Sequence, residues 1–68
     1  MVNTKKLKLL IFSAGKSQKE VAKEVGMSAN SLSNKINGLR EFTVGEVVRL
    51  CDVLCIEDNA EKAEIFLL

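Results

Sequence analysis

The sequence predicts an all-α fold, and three observations support this class. Val, Leu and Ile recur at helical spacing along the chain. Hydrophobic residues make up 47% of the 68 residues, aromatic residues only 4%, and there is no proline. Three residue pairs have the spacing of a capping box at a helix start: Ser17 with Glu20, Thr43 with Glu46, and Asp58 with Glu61. We therefore expect five helices in one small domain that spans residues 1–68.

The first two helices are predicted on either side of a glycine. The apolar stripe of the first helix consists of Leu7, Leu10, Ile11 and Ala14. Gly15 ends this helix, and the capping box at Ser17 starts a second helix near Gln18. The buried stripe of the second helix consists of Val21, Ala22 and Val25.

A third helix follows a sharp turn. Gly26 ends the second helix because a residue without a side chain can adopt the left-handed conformation that the turn needs. Ser28 can cap the third helix, whose inward residues are Leu32 and Ile36, and Gly38 closes it. Its other positions are small or polar. Serine and asparagine are weak helix formers, so their use on an exposed face indicates another cause, and contact with DNA bases supplies one.

The remaining apolar residues predict two more helices. In the fourth helix, which opens at Thr43, the expected inward residues are Val44, Val47, Val48, Cys51 and either Leu54 or Cys55. In the fifth, one face consists of Ile56, Ala60, Ala63 and Leu67. The residues that fall off this stripe are Ile65, Phe66 and Leu68. This surplus of apolar surface indicates either a dimer contact or a frayed tail.

Charge is divided unevenly along the chain. Residues 1–40 carry eight cationic and two acidic side chains, a net charge of +6, whereas residues 41–68 carry two cationic and seven acidic side chains, a net charge of −5. Such an asymmetry is expected if one half of the protein meets a polyanion and the other does not.

Several function classes are excluded by missing residues. Cys51 and Cys55 lie four apart on a predicted helix in a chain without histidine, so a zinc site would lack ligands and a disulfide would be poorly placed. We interpret both as small apolar core residues. The absence of histidine also rules out a Ser-His-Asp arrangement. Gly15-Lys16-Ser17 matches the end of a phosphate-binding loop, but Leu10 stands where the first glycine is needed. We expect no enzyme, cofactor or metal ion.

Membrane insertion and secretion are not expected either. No stretch approaches the ~20 apolar residues of a membrane span. Residues 1–16 lack the small-residue cleavage site of a signal peptide. We therefore expect a cytoplasmic protein.

The strongest pattern is that of a helix-turn-helix. Such a unit needs a small residue where the helices cross, here Ala22, a glycine at the turn, here Gly26, and apolar inner faces. The stretch "QKEVAKEVGMSANSLSNKING" resembles the helix-turn-helix of the Cro/C1-type repressor family. The following "LREFTVGEVVRLCDVLCIEDNAEKAEIFLL" resembles the remaining helices of small phage-type regulators of Gram-positive bacteria. The most specific features are the four-residue spacing of Gln18, Ala22 and Gly26 and the Asn37-Gly38-x-Arg40 loop.

The resemblance implies a compact five-helix, lambda-repressor-like DNA-binding domain with a recognition helix near residues 28–37. It implies that bases are read by Ser28, Ala29, Asn30, Ser33 and Asn34. It implies phosphate contacts for Gln18, Asn37 and Arg40. The positive charges around the expected groove add Lys16, Lys19 and Lys35 to the predicted phosphate contacts. Lys35 departs from the family, which often has an apolar residue at its position.

The expected function is that of a Cro-like repressor that binds an inverted-repeat DNA operator as a homodimer, with half-site centres about 34 Å apart. The candidate dimer contact is the C-terminal segment with Ile65, Phe66, Leu67 and Leu68. No small-molecule ligand is expected. Two alternatives stay open: an antitoxin or recombination accessory DNA-binding protein, and a helical module that binds proteins instead of DNA.

Overall fold

A computed structural model describes residues 2–67, which form five helices and contain no strand. The helices are α1 (Thr4–Ser13), α2 (Gln18–Val25), α3 (Ala29–Ile36), α4 (Val44–Val53) and α5 (Asn59–Phe66). The predicted all-α class is therefore confirmed. None of these helices has the length and apolar character needed to cross a membrane.

Each helix begins at a polar residue whose side chain accepts a backbone hydrogen bond; the five caps are Asn3, Ser17, Ser28, Thr43 and Asp58. The capping boxes of Ser17 with Glu20 and of Thr43 with Glu46 form as predicted. The third predicted box is wrong in its partner, because Asp58 accepts its hydrogen bond from the Ala60 N–H at 2.9 Å instead of from Glu61. The starts of α2 to α5 therefore follow the caps that the sequence predicts, whereas the cap of α1 was not predicted.

The core lies where α2 contacts both α3 and α4 and where α1 contacts α3 and α5. Its buried apolar residues are Leu7, Ile11, Val21, Ala22, Val25, Leu32, Ile36, Leu50, Cys51, Ile56, Ile65 and Phe66. All the inward residues predicted for α2 and α3 are among them. In α1, Leu7 and Ile11 are buried as predicted, but Ala14 is exposed because the helix has already ended there.

The inward face of α4 differs from the predicted one. Val44 and Val48 are 83% and 55% exposed, and Leu50 is fully buried. The residues of α4 and its C-terminal cap that lie in the core or pack against it are Val47, Leu50, Cys51, Val53 and Leu54. The predicted and observed faces share Val47, Cys51 and Leu54, which was one of the two predicted alternatives, so helical spacing alone does not distinguish the faces. The structure differs from the prediction in burying Leu50 and exposing Val44 and Val48.

The two cysteines have different environments. Cys51 is a buried core residue, as predicted, and burial raises the pKa of its thiol. Cys55 is exposed, so its predicted core role is wrong. The reason is that α4 ends before it, and Cys55 adopts a left-handed backbone conformation with φ of +56°.

The C-terminal helix is part of the core. Ile65 and Phe66, predicted to lie off the buried stripe, are both buried, whereas Leu67 and Ala60 are exposed. The Phe66 ring packs edge-on against Phe42, with ring centroids 5.7 Å apart. The interpretation of Ile65 and Phe66 as surplus surface for a dimer contact is therefore wrong, because their own chain covers them. Leu68 lies outside the described residues.

Candidate nucleic-acid interface

Helices α2 and α3 form a bihelical unit around a three-residue turn. Gly26 takes a φ of +90°, a conformation that side chains disfavour, although a Cβ there would meet no atom within 4 Å. The N–H groups of Gly26 and Met27 both donate to the Ala22 carbonyl at 2.9 Å. Ser28 then caps α3 by accepting the Ser31 N–H at 3.0 Å. The turn geometry is the one that the sequence predicted.

The orientation of α3 is fixed by its buried side. Leu32 and Ile36 are completely buried. A helix that buries these two positions must turn positions 30, 34 and 37 away from the core, since they lie on the opposite side of the helical wheel. All three are asparagines; Asn30 and Asn37 are exposed and Asn34 is half-buried. The outer face of α3, together with the residue that caps its C-terminal end, therefore carries an asparagine stripe, defined as Asn30, Asn34 and Asn37.

The predicted base-reading residues all lie on or at the start of α3. Ser28, Ala29 and Asn30 are exposed, and Ser33 and Asn34 are half-buried. The Ser28 oxygen accepts the capping bond and the Ser33 oxygen accepts a long bond of 3.4 Å from the Asn37 amide, so both hydroxyls still have a hydrogen to donate. Their contact with bases stays a prediction.

Two groups of predicted phosphate contacts lie at the two ends of the unit. Gln18 and Lys19 occupy the first turn of α2, where free N–H groups favour an anion. Asn37 and Arg40 are exposed in the loop that follows α3. The first turn of α2 also holds Glu20, and the Ser17 backbone N–H that donates to it lowers the pKa of its carboxyl. The contacts of these residues with DNA also stay predictions.

Lys16 forms an ion pair with α2. Its ammonium donates to both carboxylate oxygens of Glu24 at 2.8 and 2.9 Å, which raises the pKa of Lys16. The two side chains are 30% and 44% exposed. An ion pair this accessible to water is weak, and the phosphate contact of Lys16 stays a prediction.

Lys35 forms a second and more buried ion pair that the sequence did not reveal. Its ammonium donates to both carboxylate oxygens of Glu46 at 2.6 and 2.7 Å, and the two side chains are only 12% and 14% exposed. The Lys35 ammonium, followed by the Thr43 backbone N–H, holds the pKa of the Glu46 carboxyl below its ordinary value. A phosphate contact of Lys35 stays a prediction, but it would have to compete with this pair. The one sequence signal was that Lys35 departs from the resemblance noted in the sequence.

Metal ligands are not assembled in the part of the chain that the structure describes, since no three His, Cys, Asp or Glu side chains cluster there. An open cavity of about 310 Å³ lies beside the loop after α3, and its wall includes Lys35, Arg40 and Phe42.

Comparison with known proteins supports the same assignment as the geometry. Residues 6–65 match the family model of the helix-turn-helix domain. No curated protein and no solved structure matches the chain significantly. The match includes α2, the turn at Gly26, α3 and α4 in full and most of α1 and α5. The chain belongs to the helix-turn-helix domain family, a family of DNA-binding proteins.

Proposed function

We propose that this protein is a sequence-specific transcriptional regulator of the Cro/C1 type, formed by one domain over residues 1–68, which inserts α3 into the major groove. The observation that carries the proposal is the asparagine stripe on the outer face of α3, opposite a completely buried inner face. A solvated helix face without a binding role is usually built from better helix formers. Polar amides in a line are suited to the donors and acceptors of base edges.

The stripe matches a short DNA half-site. From Asn30 to Asn37 the helix rises by about 10 Å, which corresponds to about three base-pair steps. Asn30 and Asn34 amides can each pair with the N6 and N7 groups of an adenine, and the Ala29 methyl can pack on a thymine methyl. Ser28 and Ser33 can donate hydrogen bonds to neighbouring acceptors. Asn37, at the end of the stripe, is suited to either a base or the adjacent phosphate.

Phosphate contacts on both sides of the groove fix the register of α3. Gln18 and Lys19 at the start of α2 hold one backbone segment, with Lys16 released from its exposed pair with Glu24. Asn37 and Arg40 hold the other. The net charge of +6 on residues 1–40 draws this half of the molecule to DNA, and the acidic half faces away.

A homodimer on an inverted repeat completes the proposal, because one helix of this length reads too few base pairs for specificity. With Ile65 and Phe66 in the core, the contact needs other apolar surface, and we assign it to Val44 and Val48, which are exposed on one side of α4. The domain measures 27 × 24 × 21 Å. Two adjacent copies can therefore place their α3 helices one DNA turn, about 34 Å, apart.

The dimer contact can be tested with a matched pair of substitutions. Val44→Glu and Phe12→Glu each replace a residue that is at least 80% exposed, on α4 and α1 respectively. Val44→Glu should lower the molecular mass in sedimentation equilibrium to that of one chain, and Phe12→Glu should leave it unchanged. The reverse result would assign the contact to α1.

Selection of binding sites from a random duplex pool at about 0.15 M salt tests the function itself, because weak non-specific binding is suppressed at this salt concentration. We expect enrichment of an inverted repeat with half-sites one helical turn apart. A well-folded protein that enriched no sequence would contradict the proposal.

A second candidate function is that of a DNA-binding protein that also holds another protein, such as an antitoxin. One observation favours it: Leu9 and Phe12 are exposed together on the outer face of α1. Retention of a partner by the wild-type protein but not by Phe12→Glu would support this candidate.

A further inference from the structure

The loop between α3 and α4, residues 37–43, carries Asn37 and Arg40, and both of its ends meet at one carboxylate. We propose that Lys35 and Glu46 act as a positioning pair, which holds this loop in the conformation that presents Asn37 and Arg40 to the DNA backbone. Lys35 is then a positioning residue and not a phosphate ligand. This inference rests on the proposed DNA-binding function.

Glu46 joins the two ends of the loop through direct hydrogen bonds. Its Oε1 accepts from the Lys35 ammonium at 2.6 Å and from the Thr43 N–H at 2.8 Å, and its Oε2 accepts from the same ammonium at 2.7 Å. Lys35 belongs to the last turn of α3, and Thr43 is the residue that caps α4. One side chain therefore sets the distance between the point where the loop leaves α3 and the point where it enters α4.

The first part of the loop depends on the end of α3. The Gly38 N–H donates to the Lys35 carbonyl at 3.2 Å, and the Leu39 N–H donates to the Asn34 carbonyl at 2.9 Å. A change in the position of Lys35 therefore moves the backbone that leads to Arg40. Toward the other end, Phe42 packs on Phe66 of α5. Arg40 lies between these anchored segments.

Burial argues against the phosphate role of Lys35. To contact a phosphate, its ammonium would have to leave a carboxylate that is only 14% exposed, and an unpaired charge at such a site is costly. The ion pair of Lys16 with Glu24 has the same bidentate arrangement, but its side chains are more exposed, at 30% and 44%. The same exchange is therefore much easier for Lys16.

The direction in which Glu46→Gln changes DNA affinity distinguishes a positioning role from an effect of charge alone. Glu46 is an anion close to a surface that meets a polyanion, so Glu46→Gln would raise DNA affinity if charge alone mattered. Under the positioning role Glu46→Gln lowers affinity, because the amide cannot hold the Lys35 ammonium as the carboxylate does. Glu24→Gln is the matched control, since it breaks a bidentate ion pair that does not touch the loop of residues 37–43.

The experiment measures binding to the selected duplex over a series of salt concentrations, with circular dichroism to verify that each variant is folded. We expect Lys35→Met and Glu46→Gln each to reduce affinity about tenfold for all sequences, or about 1.4 kcal/mol. The slope of log affinity against log salt should fall by about 1 in both variants, because both lose the Arg40 phosphate contact. The double variant should lose no more affinity than either single variant. Lys35→Arg, which keeps the ion pair, should bind as the wild type does, and Glu24→Gln should not bind more weakly.

Two results would overturn the positioning role and leave DNA binding intact. One is a gain of affinity in Glu46→Gln. The other is a salt slope reduced by about 1 in Lys35→Met but unchanged in Glu46→Gln, which is the signature of a phosphate contact made by Lys35 itself.

Amide hydrogen exchange tests, in the absence of DNA, whether the pair of Lys35 and Glu46 holds the loop of residues 37–43. We expect the Leu39 N–H to exchange at least about tenfold faster in Lys35→Met than in the wild type, relative to the amides of α2. Unchanged exchange at Leu39 would overturn the positioning role. If the wild type bound no duplex at all, the proposed function would fall, and this measurement would still show whether the pair holds the loop.

Discussion

Helices α3 and α4 both bury an apolar face against α2, but they present opposite kinds of surface to solvent. The outer face of α3 carries Asn30, Asn34 and Asn37, whereas that of α4 carries Val44 and Val48. Buried residues alone would not distinguish the two helices, since each contributes aliphatic side chains to one core. The comparison teaches that the outer faces carry the information about partners: amides are suited to base edges, and β-branched apolar side chains are suited to another protein.

The largest effect on stability is expected at Ile65. This residue belongs to the acidic half of the chain, but it is buried in the same core as the apolar residues of α1, α2 and α3. Its side chain is completely buried, and its carbonyl accepts the Asn3 N–H at 2.6 Å. Ile65→Ala should therefore lower the free energy of unfolding by about 2–5 kcal/mol in urea titrations. Leu67→Ala, in the exposed position two residues later, should change it by less than about 0.5 kcal/mol.

The opposite order of these two variants would restore the interpretation of Ile65 as a surface residue. A small loss of stability in Ile65→Ala combined with a lower molecular mass would return the dimer contact to the C-terminal segment.

The next largest effect is expected on DNA affinity, at Asn34 on α3 and at Arg40 in the loop after it. Asn34→Ala should cost about 1–3 kcal/mol on the selected site and little on unrelated duplexes, because the proposed function assigns a base contact to Asn34. Arg40→Ala should weaken binding to all duplexes and reduce the salt slope by about 1, because the proposed function assigns a phosphate contact to Arg40. Fluorescence anisotropy with matched and scrambled duplexes measures both. A uniform loss for Asn34→Ala would contradict its assignment to base reading.

Helices α1 to α3 could be predicted from the sequence because each offers a single apolar stripe between clear end signals. Helix α4 could not, because its two overlapping stripes have the same spacing, and the choice depends on how α4 packs on α2. Helix α5 is short and apolar on several sides, so periodicity assigned Ile65 and Phe66 to the wrong face. Side-chain pairing is hardest to predict: Lys35 and Glu46 are eleven residues apart on different helices, and only the fold brings them together.

The Glu46 carboxylate should make stability depend on pH. Lys35 and the Thr43 N–H lower its pKa in the folded protein. Its contribution is therefore complete above the ordinary glutamate pKa of about 4.3 and is lost as the pH falls through the lowered value. Glu46→Gln should reduce the free energy of unfolding by about 1–2 kcal/mol at pH 7, and the difference from wild type should shrink below about pH 4.

Urea titrations between pH 3 and pH 7 (roughly the range in which carboxylates titrate) test this dependence. Glu57→Gln is the control, since Glu57 is exposed in the loop before α5. We expect that variant to follow the wild type within about 0.5 kcal/mol. A constant difference between Glu46→Gln and the wild type at all pH values would show that the carboxylate contributes through shape and not through charge.

The smallest effect on stability is expected at the C-terminal ends of α2 and α4, where the left-handed residue is a glycine in one case and a cysteine in the other. Gly26 follows α2 and Cys55 follows α4, and both have a left-handed backbone, with φ of +90° and +56°. At Cys55 the same closure forms, with the Ile56 N–H donating to the Cys51 carbonyl at 2.9 Å, but a side chain disfavours this conformation by about 1–2 kcal/mol. Glycine would remove this cost and lose about 0.5–1 kcal/mol through the greater freedom of the unfolded chain.

Cys55→Gly should therefore stabilise the protein by about 0.5–1 kcal/mol, and Gly26→Ala should destabilise it by about 1 kcal/mol or more. Both are read from the shift of the urea midpoint at constant slope. If Cys55→Gly were destabilising, the exposed cysteine side chain would have to make contacts worth more than its backbone strain. Packing of the Cys55 side chain would then explain why the end of α4 tolerates a residue other than glycine. The turn after α2 is different: open space surrounds Gly26, so glycine is required there for its backbone conformation alone.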